Sequence, residues 1–309
     1  MTFDVVITSY KRPVMVRDAV VSCLNQGPFL SKVIVVDDAS KDNTAEVIRS
    51  LNDPRIVFAQ RAENGGIAAA RRDAFALSDA DWTVSMDSDH EMLPGAIEKF
   101  ASLLASAPEP VDILGARYQW DTGGVSPVNV PRGIVDYRER ILLSTRKDNI
   151  GADYLCAISK RMREAVKWEP LRAGLPDTLF QLDIARIGNA VFTSEALALE
   201  KSCGDHGWTR GSAEQRWARR CQDAPDAVKA LGLIRSRHES GLRRWGKPQL
   251  AGLYQQGAFC AALCGQRVQA WRWLLESIRL EGLSLHSIGV ATLSMFPKTI
   301  AKRIYLLRG

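Results

Sequence analysis

The sequence has 309 residues, 46% of them hydrophobic, 25% charged and 7% aromatic, with a net charge of +6. That composition excludes a disordered, collagen-like or disulfide-scaffold chain and leaves room for one large domain or two. The charge is unevenly spread: residues 1–209 hold 24 basic and 29 acidic side chains, and residues 210–309 hold 17 and 6, so an acidic front (−5) precedes a basic tail (+11).

In chain order, the first hundred residues alternate strand and helix. Phe3–Thr8 is a short apolar run, and Pro13 opens a helix to about Gln26. Lys32–Val36 predicts a second strand, followed by a helix from about Asn43 to Leu51. Arg55–Ala59 predicts a third strand and Gly66–Leu77 a helix. Trp82–Met86 is the fourth strand, and Pro94–Ala105 a helix with proline near its first turn. Uninterrupted β-branched strands between helices imply a mostly parallel sheet covered on both faces. A strand starting within three residues of the N-terminus leads us to expect no signal peptide.

The middle is mixed. Asp112–Tyr118 predicts a strand, and Asp148–Ile158 a loop entering another. Asp177–Arg186 has helical periodicity, with Gly188 as a stop signal. Ala190–Phe192 and Ala196–Leu199 predict two short strands. From about Gly211 the pattern is helical. Ala251–Leu263 and Val268–Leu280 form a hairpin around Gly265-Gln266, with Val268, Trp271, Leu275 and Ile278 on one face. Lys298–Arg308 is amphipathic, with Ile300, Ile304 and Leu307 on one side and basic residues off it; it suits packing on the domain or lying on a membrane surface. The late apolar run Leu283–Phe296 is broken by His286 and several serines, so no membrane span is expected. The six cysteines contain no CxxC pair, which points to reduced thiols in the cytosol rather than a zinc or disulfide framework. The basic tail suits anionic lipid or plain solvent; without a nucleic-acid recognition motif, no nucleic-acid partner is expected.

In parallel α/β sheets ligands bind beyond the carboxyl ends of the strands. Those positions here hold Thr8-Ser9-Tyr10, then Asp37-Asp38-Ala39-Ser40, then Glu63-Asn64-Gly65-Gly66 leading to Arg71, then Asp87-Ser88-Asp89. Each set alone also fits a turn, a cap or a solvated helix face. Four such sets at one edge of one sheet argue for a ligand. Asp87 and Asp89, spaced i and i+2, can address one hard cation, and Mg²⁺ or Mn²⁺ commonly takes one or two carboxylates plus substrate phosphates. The cation would answer the repulsion between the two anions and would name the ligand as a diphosphate. A glycosidase-type acid/base pair is the competing use of two carboxylates.

In this order and spacing, VVITSYKRP, VIVVDDASKDNT, ENGGIAAARRDA and SMDSDHEMLPGAIEKF resemble glycosyltransferase family 2 over residues 2 to about 210. The resemblance implies a GT-A fold: a Rossmann-like, mostly parallel sheet with helices on both faces, here followed by a basic, all-helical extension from 211 to 309. It implies an inverting, metal-dependent enzyme fed by a nucleotide sugar. By the same resemblance Thr8 and Tyr10 would contact the nucleotide, Asp38 the base, and Arg71 the base or diphosphate. Asp87 and Asp89 would hold ribose and metal, with Asp89 as direct ligand to Mn²⁺ or Mg²⁺. The family's catalytic carboxylate, commonly Glu-Asp at a later helix start, falls on Asp177, with Pro176 where Glu is usual; Asp177 also suits a helix N-cap. A family histidine near the diphosphate falls on His206, which would bind metal or phosphate and equally suits a surface loop. His90 stands where another Asp is frequent and receives no role. Cys203 and His206 lack two further ligands for zinc. The processive members' Gln-x-x-Arg-Trp motif is absent, since Gln215-Arg216-Trp217 has the wrong spacing.

These readings converge on transfer of one sugar from a nucleotide-diphosphate donor, UDP-linked by preference, to an acceptor hydroxyl. A glycan or lipid-linked acceptor would place the chain in cell-surface polysaccharide or lipopolysaccharide synthesis, in the cytoplasm or at the inner face of the membrane, with its basic helices as a peripheral contact. Two rivals are a nucleotidyltransferase, which wants a glycine-rich loop that Ser9–Pro13 lacks, and a silent nucleotide-sugar-binding scaffold, against which the intact acidic set argues.

Overall fold

The structure, a computed structural model, describes residues 1–107, 110–145, 154–169, 171, 175–201, 212–283, 289 and 298–306. The chain packs as two units, Met1–Pro170 with Asp183–Ser202, and Leu171–Leu182 with Cys203–Gly309. The composition changes near residue 210, whereas the packing changes after 202 and takes residues 171–182 into the second unit.

The first unit opens with β1 (Phe3–Ser9), α1 (Pro13–Leu24), β2 (Leu30–Asp37), α2 (Thr44–Ser50), β3 (Ile56–Gln60), α3 (Ile67–Ala76) and β4 (Trp82–Asp87). It continues with β5 (His90–Met92), α4 (Ala96–Ala105), β6 (Ile113–Trp120), β7 (Val125–Ser126), α5 (Tyr137–Ser144), β8 (Leu155–Ser159) and α6 (Lys160–Ala165), and after α7 (Leu175–Ile187) ends in β9 (Ala190–Glu200). All seven residues of β1 are buried, as expected of a central strand covered on both faces. Val5, Ile7, Val33, Val35, Val84 and Phe100 lie in one continuous core with Val16, Ala19 and Val20 of α1.

Among the described residues one nine-stranded sheet runs in the order β3-β2-β1-β4-β8-β6-β9-β5, with β7 on β6. The strands β3-β2-β1-β4 are parallel, as the alternation predicts. Beyond them the sheet is mixed: β8 is antiparallel to both β4 and β6, β6 and β9 are parallel, and β5 is antiparallel to β9. Two lengths show that this sheet must curl. Four strand spacings separate β4 from β5 along the sheet, about 19 Å if flat. Only Ser88 and Asp89 join β4 to β5, and three extended steps span about 11 Å. The far edge of the sheet is therefore folded back beneath the end of β4.

Several boundaries differ from the sequence reading. Pro94 lies outside α4, whose N-cap is the left-handed Gly95, so the helix begins at Ala96. The two short strands predicted around Thr193 are one strand, β9, with its irregularity absorbed in the register against β6 between Gly115 and Tyr118. Strands β5 and β7 and helices α5 and α6 are too short to show a periodicity.

The second unit contains α8 (Ala213–Trp245), α9 (Lys247–Leu263), α10 (Arg267–Glu281) and α11 (Lys298–Leu306). A capping box of Ser212 and Gln215 starts α8, and Pro225 lies within it. Gly257 of α9 packs so tightly on α8 that a Cβ there would fall 2.0 Å from Leu231 Cδ2. In α10 the apolar face read from the sequence is partly open, Val268 being 68% and Leu275 48% exposed, while Ala270, Trp273, Leu274 and Ser277 are buried. Both stripes have helical spacing, and the buried one combines small Ala270 and Ser277 with Trp273 and Leu274, Trp273 lying against Gly257 of α9. In α11 likewise Ala301 is buried against Trp217, Ala224 and Leu263, and Ile300 is 42% exposed. Among the described residues no helix is long and apolar enough to cross a membrane.

Candidate active site

Strand register builds the site. At the carboxyl edge of the parallel strands Gln60 pairs with Asp37, Asp37 with Ser9, and Thr8 with Asp87. A single polar row thus crosses four strands whose interiors are apolar. Strand β8 pairs with β4 only from Trp82 to Ser85, so Met86 and Asp87 extend past it and keep only β1 as strand neighbour. That early stop opens the edge where Asp87 emerges.

The loops after β1 and β2 are tied together. Asp38 N–H donates to the Ser9 carbonyl at 2.8 Å, and Lys11 N–H to Ser40 Oγ at 2.7 Å. Lys11 (φ 56°) and Ala39 (φ 63°) both hold left-handed backbone beside the site, a conformation that non-glycine residues adopt only where the surroundings impose it. Asp37 is buried and accepts from Ser40 N–H, Ser40 Oγ and Gln60 Nε2, which accounts for its carboxylate structurally. Asp38, 4% exposed, accepts from Gly65 N–H at 3.0 Å, Gly66 N–H at 2.8 Å and Arg61 at 3.3 Å. It holds the turn that leads into α3. Gly66 has φ 84° and ψ 169° there, a region open essentially to glycine. Thr8 is nearly buried, and Tyr10 is exposed with Lys11 Nζ 5.1 Å from its ring centre.

Asp87 ends β4, Asp89 sits in the turn, and His90 starts β5. Their candidate ligand atoms lie within 4.8 Å of one another. Two carboxylates that close repel by about 3 kcal/mol or more at an effective dielectric near 20. Arginines from two helices answer this. Arg71 of α3 donates to Asp87 Oδ1 at 3.0 Å, and Arg12, at the N-cap of α1, donates to Asp89 Oδ2 at 2.9 Å. Partial loss of water raises the Asp87 carboxyl, but Arg71, His90 and Arg12 outweigh it and hold it below the usual carboxylate range.

His90 is 6% exposed, and among the described residues neither of its ring nitrogens has a hydrogen-bond partner. Nδ1 lies 3.9 Å from Asp89 Oδ1, and Nε2 lies 3.6 Å from Glu200 Oε2. The Tyr118 ring stacks on the imidazole at 4.3 Å and 8°. The curled sheet explains the neighbours: His90 pairs with Glu200 on β9, Glu200 pairs with Trp120 on β6, and Trp120 Nε1 donates to Glu200 at 2.9 Å. Burial pulls the imidazole pKa down, while Glu200, Asp87 and Asp89 more than reverse that and raise it. Glu200 is correspondingly lowered, chiefly by His90.

Thr8, Asp87, Arg71 and Asp89 therefore come together at one edge, with Asp38 behind the glycine turn. Asp177 lies in α7, and its side chain is outside the described residues, as is the whole of His206. Sequence reasoning missed Arg12, Arg61 and Glu200. Arg12 had a signal, a cation one residue before the Pro13 that starts α1. Glu200 had none, because a strand register more than a hundred residues away brings it to His90.

The family model Glycosyl transferase family 2 matches residues 4–164 of this chain. Chondroitin synthase of Pasteurella multocida (strain Pm70) is 34% identical over 97 residues, 31% of this chain and 10% of that protein. The chain thus spans only a small part of that relative. The crystal structure of S. aureus TarS 1-349 in complex with UDP-GlcNAc superposes with TM-score 0.57 at 16% identity, over 94% of this chain and 91% of that one. The mannosyltransferase PcManGT from Pyrobaculum calidifontis, in complex with GDP-Man and Mn²⁺, superposes with TM-score 0.55 at 17% identity, over 99% and 84%. At such identities the likeness speaks for the fold, which is GT-A.

Proposed function

The chain belongs to glycosyl transferase family 2, and from that premise we propose that it is an inverting glycosyltransferase that moves one sugar from a nucleotide-diphosphate donor to an acceptor hydroxyl. The observation that carries this reading is the meeting of Thr8, Arg71, Asp87 and Asp89 at the open carboxyl edge of the sheet. UDP is the preferred donor nucleotide.

Each residue has a part. Thr8 and Tyr10 flank the nucleotide, and Asp38 serves the base by holding the Gly65-Gly66 turn in place. Asp87 takes the ribose side. Arg71 and Arg12, paired with aspartates in the free protein, are guanidinium donors suited to phosphate oxygens. The donor set fits a divalent cation, two carboxylates beside a buried imidazole whose nitrogens make no hydrogen bond within 3.5 Å among the described residues. Mn²⁺ or Mg²⁺, bound by Asp89 and Asp87 with His206 as a further candidate, would supply positive charge to the departing diphosphate. Asp177 acts as base. Its carboxylate accepts the acceptor hydroxyl's proton as that oxygen bonds to the anomeric carbon and the bond to the nucleoside diphosphate breaks.

Acceptor and location complete the proposal. A glycan or lipid-linked acceptor, in polysaccharide or lipopolysaccharide synthesis, fits a cytoplasmic chain working at the inner membrane face. Exposed Val268, Leu275 and Ile300 on helices rich in arginine and lysine favour contact with anionic lipid. Flotation on anionic liposomes should weaken when residues 297–309 are removed, and equal flotation would sink the membrane contact. No nucleic-acid partner is proposed.

Calorimetry tests the core of the reading. UDP-, GDP- and dTDP-sugars are titrated into wild type and Asp89→Ala with Mn²⁺, Mg²⁺ or EDTA. Metal-dependent binding of one nucleotide class, lost in Asp89→Ala, is expected. A folded protein that binds none of them would leave the aspartates with a structural role only.

A further inference from the structure

Asp87 and Asp89 are not the whole of the proposed cation site, because the next residue is an imidazole whose nitrogens make no hydrogen bond within 3.5 Å among the described residues. A nearly buried ring whose nitrogens have only longer carboxylate contacts, Nδ1 to Asp89 and Nε2 to Glu200, is costly unless something else completes its partners. Both carboxylates of the motif, by contrast, already accept from arginines: Asp87 Oδ1 from Arg71 and Asp89 Oδ2 from Arg12. The oxygen of Asp89 that faces His90 Nδ1 is Oδ1, at 3.9 Å. Donors about 2.1 Å from a six-coordinate cation lie about 3 to 4.3 Å apart, so this pair can share one ion.

The remainder of the ring's environment suits a ligand. Histidines that bind metal through one nitrogen usually present the other N–H to a carboxylate, which sets the tautomer and aims the lone pair. Glu200 is placed for that on the Nε2 side, 3.6 Å away. Glu200 is itself held by Trp120 Nε1 and by its place in the β5–β9 ladder. Tyr118, stacked at 8°, prevents the imidazole from tilting. A ring fixed in plane, backed by an anion and facing a carboxylate oxygen is built to hold a positive centre at Nδ1.

We propose that His90 Nδ1 is a protein ligand of the divalent cation, together with Asp89 and Asp87, and that it biases the site toward Mn²⁺ and away from Mg²⁺. The inference rests on the reading that this edge binds a cation. It adds a ligand and a metal preference to that reading. Magnesium prefers all-oxygen shells and keeps its waters, whereas an imidazole favours first-row transition ions. An aspartate at the same position would give an all-carboxylate set that accepts either ion.

The test uses the full chain and Mn²⁺ alone as probe. Pulsed electron paramagnetic resonance at low temperature reads nitrogen nuclei bonded directly to bound Mn²⁺. All samples carry His206→Ala, so that the other candidate imidazole is absent, and with His90 intact one coordinated imidazole nitrogen is expected. Adding His90→Asp should still leave Mn²⁺ bound but abolish the nitrogen coupling, and the Mn²⁺-over-Mg²⁺ preference by competition should fall about tenfold or more. Asp89→Ala should lose the bound ion. Bound Mn²⁺ that depends on Asp89 but shows no nitrogen coupling would overturn the role of His90 and leave the cation site standing. Coupling that persists in His90→Asp would overturn it as well. Absence of any Asp89-dependent Mn²⁺ would overturn both readings.

Discussion

Two of the clusters of acids and arginines among the described residues contrast, one at the strand ends of the first unit and one within the helices of the second. In the second, each acid finds a cation about one helical turn away. Glu239 accepts from Arg243 at 2.9 Å four residues on, and Glu276 from Arg279 at 2.6 Å three residues on. Arg243 also reaches Glu276 at 2.6 Å, and Tyr254 OH donates to Glu239 at 2.6 Å, so one network joins α8, α9 and α10. In the first unit Asp87, Asp89 and His90 are neighbours in sequence and cannot move apart. Their counter-ions come from α1 and α3, and the imidazole nitrogens have no hydrogen-bond partner among the described residues. Paired charges within helices satisfy one another and stabilise packing. Like charges forced together by chain connectivity must borrow their cations, and borrowed cations can be exchanged for a ligand.

The strongest way to break this contrast is chemical. Asp177→Asn should lower turnover by roughly 10²- to 10⁴-fold and leave donor affinity by calorimetry unchanged. Turnover equal to wild type would remove the assignment.

A smaller effect, on stability, reaches the first cluster through its backbone. Gly66→Ala forces a side chain into φ 84°, ψ 169° and should cost about 1–3 kcal/mol in urea unfolding. It should weaken donor binding too, because the turn that Asp38 holds would shift. Unchanged stability would mean that the turn relaxes freely and that Asp38 does not fix it.

The second cluster should respond in stability alone. Tyr254→Phe removes one hydrogen bond to a carboxylate from a buried ring and should cost about 1–2 kcal/mol. Donor affinity should not change, and a change would erase the distinction between the clusters.

The gentlest probe is pH. Burial raises the Glu239 carboxyl, but Tyr254 and Arg243 more than offset this, and its pKa is lowered. An unfolded glutamate titrates near 4.3. The stability that Glu239 contributes is therefore complete above that value and lost as pH falls through its lower folded pKa. Glu239→Gln should flatten the acid side of the helical melting curve followed by circular dichroism. An unaltered acid limb would show that Glu239 contributes nothing there.

Much of the fold is legible in the sequence. The strand-helix alternation from Phe3 to Ala105, the parallel half of the sheet and the polar residues at its carboxyl edge follow from local periodicity and strand-end chemistry. Less legible was what each carboxylate does. Asp37 and Asp38 are adjacent and look equivalent, yet one closes its own loop through Ser40 and Gln60, and the other clamps a turn 27 residues away. Which face of α10 packs is not legible locally, because two stripes share helical spacing, and tertiary packing buries Ala270, Trp273, Leu274 and Ser277 while Val268 and Leu275 stay exposed.

Sequence by itself determined the longer elements, β1 to β4 and the helices between them above all, because period and turn residues act over a few positions. It also determined that Asp87 and Asp89 stand together, because two residues cannot separate in a three-residue turn. The tertiary structure alone decided that Arg12 and Arg71 neutralise them, that β8 stops at Ser85 and leaves Asp87 open, and that the curled sheet carries Glu200 and Tyr118 to His90. Those facts depend on strand register and sheet closure. Both are set by contacts between residues far apart in the chain, which no local pattern encodes.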